Sequence, residues 1–163
     1  MKSIFLALTM TLSVFTFGKS ILKEIMRIKS VEKNSKTIIF SKQSTKSQNN
    51  FVIKAKNESS SEYTKCKWEV QLSGNKMRQF NEALSQVSFD EKNSIIFKNF
   101  SVKVKKDRVK IIFFNSSCSN EHSTHYFQKS CNRELSFVLF PSQIIAVNQA
   151  FDNVFNNAIA ENN

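Results

Sequence analysis

The chain has 163 residues, with 24 Lys+Arg against 13 Asp+Glu and a formal net charge of +11. That length suits one domain with a core of its own, and a charge of that size gives a long-range attraction for anionic surfaces. With only two glycines and one proline, no glycine-rich phosphate loop, dinucleotide fingerprint or nucleophile elbow can be drawn, which sets those enzyme classes aside.

Residues 1–18 have the three-part layout of an export signal: Lys2, an apolar run over 4–17, then small or polar residues around Gly18. The run contains Thr9, Thr11, Ser13 and Thr16 and is shorter than the roughly 20 residues a membrane-crossing helix needs. The expectation is a cleaved leader and a secreted or periplasmic protein without a transmembrane segment in its mature chain. Residues 19–50 read as a basic polar N-terminal segment, with a short helix near 20–28, a strand near 37–41 and a polar loop over 41–50. The compact domain is expected over 51–158.

Within that domain, 51–56 alternates as a strand. Residues 65–72 alternate strictly, with Cys66, Trp68, Val70 and Leu72 on one face and Lys65, Lys67, Glu69 and Gln71 on the other. Met77, Phe80, Leu84 and Val87 recur at helical spacing, so 75–87 reads as an amphipathic helix with Ser73 before it. Residues 94–105 and 108–115 read as a hairpin with a charged tip, and 133–140 as a strand ended by Pro141. A second helix follows, with Ile144, Val147, Phe151, Val154 and Phe155 as its apolar stripe, out to about residue 157. Sixteen phenylalanines point to a Phe-rich core, and the scarcity of glycine leaves turns to Asn, Ser, Asp and Lys.

An internal echo runs through these pieces. At a constant offset, Leu72, Met77, Phe80, Asn81, Ala83, Leu84 and Val87 align with Leu139, Ile144, Val147, Asn148, Ala150, Phe151 and Val154. The chain therefore reads as an α+β fold: an antiparallel β-sheet with two helices packed on one face, built from two β-β-α pseudo-repeats. In layout alone this resembles the duplicated sheet-plus-helix arrangements of TATA-binding-protein-like and Pur/whirly-like folds. No motif residue ties the chain to either, and layout by itself assigns no function.

One cluster gathers chemistry-bearing residues: Cys118, His122, His125 and Cys131, which include both histidines and two of the three cysteines. Three readings stay open. A Cys118–Cys131 disulfide suits an oxidising compartment and would stabilise the loop by about 3 kcal/mol. A zinc site would use all four side chains, although their spacing departs from the usual knuckle. A histidine-activated cysteine nucleophile lacks any orienting third group. Cys66 shares the apolar face of Trp68 and reads as a buried thiol, yet three cysteines also permit 66–131 and 66–118 pairings. The carboxylates are scattered, so no acid/base pair can be proposed.

The sequence thus leads to a small, exported, basic, non-catalytic binding or structural protein with no cofactor. Its partner is expected to be an anionic surface, lipid headgroup or acidic polysaccharide, or else a partner protein. Lys103, Lys105, Lys106 and Arg108 form the contact, and nucleic acid is not expected outside the cell. The alternative is a metal- or thiol-dependent site on Cys118, His122, His125 and Cys131.

Overall fold

The structure, a computed structural model, describes residues 21–44, 49–58, 66–89, 93–120 and 132–160. The expected leader at 1–18, His122, His125 and Cys131 lie outside the described residues. In chain order the elements are β1 (Ile21–Lys29), β2 (Lys36–Ser44), β3 (Asn49–Asn57), β4 (Cys66–Ser73), α1 (Gly74–Ser85), β5 (Ser94–Ile96), β6 (Phe100–Lys105), β7 (Arg108–Phe113), β8 (Ser117–Asn120), β9 (Leu135–Leu139) and α2 (Pro141–Ala160).

The fold is α+β, with two antiparallel sheets where one was expected, ordered β1-β2-β3-β4-β8 and β5-β6-β7-β9. Each helix follows closely on its strand, α1 at Gly74 directly after β4 and α2 at Pro141 two residues beyond Leu139, at the offset of the sequence echo. The repeated unit is larger than β-β-α, because in each half four strands in the same neighbour order come with one helix.

Residues 19–50, expected to stand apart as a polar segment before the domain, supply β1 and β2. In these strands Ile28, Ile38 and Phe40 are buried in the main core. The helix expected near 20–28 is strand β1. Its free edge carries Lys23, Glu24, Arg27 and Lys29 and a β-bulge between Glu24 and Met26, the devices that keep an edge strand from pairing with another chain.

The inner faces of both sheets and one side of both helices share a single apolar cluster. Each helix packs on strands of both halves. Phe80 of α1, which follows the first sheet, packs on Phe100 of β6 and Phe113 of β7 at ring separations of 5.3 and 5.1 Å. Phe151 of α2, which follows the second sheet, packs on Phe40 of β2 and Phe51 of β3 at 5.5 and 6.1 Å. Each helix also meets the sheet that precedes it, α1 through β3 and β4 and α2 through β7, so both helices belong to one core shared by the two sheets, whose outer faces point away from it.

Polar ties reinforce this interlock. β8 leaves the second half to pair with β4, and the Trp68 indole N–H donates to the carbonyl of Asn132 at 2.8 Å. Val31 N–H donates to the Val138 carbonyl at 2.9 Å, and the Asn81 amide donates to Asp152 between the helices at 2.7 Å. Trp68, only 8% exposed, is thus a core residue whose polar end is satisfied, as strand alternation implies.

Candidate anion-binding surface

β6 and β7 alternate strictly. Val102, Val104, Val109 and Ile111 turn inward and are buried, which forces Lys103, Lys105, Arg108 and Lys110 outward, where all four are exposed. The two-residue turn between the strands places Lys103 directly opposite Lys110 and Lys105 directly opposite Arg108. Side chains paired across antiparallel strands have Cβ atoms about 5 Å apart, and like charges in that relation repel. Two successive rungs of the hairpin are therefore cation against cation.

The turn adds a fifth cation. Lys106 has φ of 58°, a left-handed conformation usually assigned to glycine in such turns. Asn115, at the far end of β7, has φ of 59°; with no glycine at either place, Lys and Asn take the strained positions. The nearby carboxylate is Asp107, 3.9 Å from Arg108. Among the described residues no carboxylate pairs with Lys103, Lys105, Lys106 or Lys110. At the root of this face Ser101 is buried and Ile112 half-buried, so its open part is the tip end.

The outer face of the first sheet is different. A groove of about 710 Å³ crosses it, lined among others by Arg27, Ile39, Lys54, Lys67 and Ser117. Here cations meet carboxylates: Arg27 with Glu24 at 2.9 Å, Lys54 with Glu69 at 3.5 Å, and Lys29 with Glu58. The hydrogen bond from Arg27 holds the Glu24 carboxyl below the usual range, and those from Lys29 and then Thr37 do the same for Glu58. The first sheet's outer charges are largely compensated within the molecule. Those of the hairpin are not.

Cys118 lies on β8 opposite Trp68, half-buried, as a free thiol, while Cys66 is disulfide-bonded. The partner expected for Cys118, Cys131, lies outside the described residues, as do His122 and His125. The register of β8 sets Cys118 against Trp68 on the inner face of the sheet. Burial pushes the Cys118 thiol pKa up, so less thiolate is present at neutral pH and the group is a poorer nucleophile or ligand. Among the described residues no three His, Cys, Asp or Glu side chains gather as a metal site. Alkylation of the unfolded but unreduced protein is expected to label Cys118, with Cys66 accessible only after reduction; peptide mapping by mass spectrometry checks this.

Of the residues expected to contact an anionic surface, the structure brings Lys103, Lys105, Lys106 and Arg108 together at one hairpin end. It adds Lys110, which the dense run 103–108 did not include. Lys110 was recoverable in principle, because a two-residue turn at Lys106 and Asp107 sets it opposite Lys103.

No protein-family model matches the chain, and no curated protein or solved structure is significantly similar to it.

Proposed function

We propose that the protein is a non-catalytic, exported basic domain that binds an anionic surface through the outer face of the β6–β7 hairpin. The observation that carries this reading is the pair of like-charge rungs, Lys103/Lys110 and Lys105/Arg108. Such rungs destabilise a hairpin in isolation, and a row of anionic groups laid along them removes the repulsion. The compensated outer face of the first sheet offers no comparable demand for an external anion. Export, as the sequence of residues 1–18 suggests, turns the search for that anion to lipid headgroups and acidic polysaccharides.

The reading predicts opposite effects on binding and stability from one variant. Replacing Lys103, Lys105, Arg108 and Lys110 together by Gln is expected to weaken binding to an acidic polysaccharide or anionic vesicles at least a hundredfold, at about 1 kcal/mol per cation. It should leave the unfolding midpoint equal or raised, because the repelling rungs are gone. Wild-type binding should fall steeply as salt rises from low to physiological strength. Titration in each salt, with thermal unfolding of both proteins, measures all three; absence of binding at low salt sinks the reading.

A further inference from the structure

The cationic rungs do not stand alone on their face. The second sheet runs β5-β6-β7-β9, and the strands on either side of the hairpin each bring one large apolar side chain outward. On β5, Ile95 pairs with the inward Val102, so Ile96 turns outward opposite Ser101; it is 68% exposed. Past β9, Leu139 is fully buried opposite Val109. Strand alternation then turns the next residue, Phe140, outward beside the Arg108 end of the hairpin, and it is 40% exposed. The outer face thus carries two cationic columns with one exposed apolar side chain at each of two diagonal corners, Ile96 one rung beyond Lys103 at the root and Phe140 beside Arg108 at the tip.

That layout discriminates between anions. A strongly charged polysaccharide rewards cations and gives nothing for an exposed phenylalanine and isoleucine beside them. The boundary of an anionic bilayer rewards both, because phosphates sit at the level of the cations and apolar side chains bury in the acyl region just below. Long lysine and arginine side chains also reach headgroups while their stems stay in contact with apolar surface. No helix among the described residues is long and apolar enough to cross a membrane, so attachment by this face is peripheral.

We infer that the outer face of the second sheet docks on an anionic lipid bilayer, with Lys103, Lys105, Arg108 and Lys110 on headgroup phosphates and Ile96 and Phe140 inserted at the two corners. The inference rests on the anion-binding reading and adds the partner to it.

The test uses the chain without residues 1–18, which retains every described element of the fold. Binding is measured by co-sedimentation with vesicles of phosphatidylglycerol and phosphatidylcholine, with vesicles of phosphatidylcholine alone, and by titration with heparin as the polysaccharide probe. The wild type should bind the anionic vesicles and not the neutral ones. The double variant Ile96→Ser with Phe140→Ser should lose roughly tenfold or more of its affinity for anionic vesicles while its heparin affinity is unchanged. Both side chains are exposed, so thermal unfolding should stay near wild type. If the double variant binds anionic vesicles as well as the wild type, or if the wild type binds heparin and no vesicle, the lipid inference is overturned while the anion-binding reading survives. Binding to none of the three at low salt overturns both.

Discussion

A chain that begins at residue 45, and so lacks β1 and β2, is expected not to fold. Strand β2 pairs with β3 along its whole length, from Lys36 opposite Asn57 to Ser44 opposite Asn49. Removing it uncovers the edge of β3 and the inner face beside it. Ile28, Ile38 and Phe40 leave the core, the last two fully buried. Burial of three such side chains contributes about 5–9 kcal/mol, comparable with the whole stability of an ordinary domain. Phe40 also supplies the edge-on ring against which Phe151 is set, so α2 loses its seat at the same time. Urea unfolding followed by circular dichroism should show a single cooperative transition for the chain starting at residue 19 and none for the one starting at 45. Equal transitions for the two would mean that the first two strands are ornamental.

That outcome contrasts with the sequence-based expectation of a separable polar segment, and the reason for the contrast lies in particular residues. In β1 the apolar residues Ile21, Leu22, Ile25 and Met26 fall at helical spacing. The bulge between Glu24 and Met26 shifts the strand's phase by one residue, so alternation is broken where it is needed to recognise a strand. The polar composition of 41–50 hides that β2 and β3 are partners. β8 was also illegible, because Cys118 is its sole apolar residue and its pairing with β4 is a long-range event. By contrast, β4, α1, β9 and α2 could be read almost residue for residue. Each buries one face through several unbroken periods, and the echo between them reports a repeated environment rather than local propensity. The candidate site was half legible: its cations lie in one dense run, but Lys110, Ile96 and Phe140 join it only through register across three strand pairs.

The second large effect tests the core that the two halves share. Phe151 is fully buried and meets Phe40 at 5.5 Å with rings nearly perpendicular, Phe51 at 6.1 Å and Phe155 at 6.3 Å. Phe151→Ala is expected to cost about 3–5 kcal/mol, and Phe151→Leu less, because much of the volume is kept. Phe80→Ala should cost a similar amount, since Phe80 stands in the same relation to Phe100 and Phe113. The informative result is the form of the transitions. If each half were a domain with its own helix, Phe151→Ala would lower a second-half transition and leave a first-half one in place. With each helix packed on both sheets in one core, both single variants should shift one common transition. Phe40→Ala combined with Phe151→Ala should then cost less than the sum of the two, because the rings share a contact. Phe80→Ala combined with Phe151→Ala should be close to additive, since those side chains share no ring contact. Two resolved transitions in either single variant would contradict the shared core.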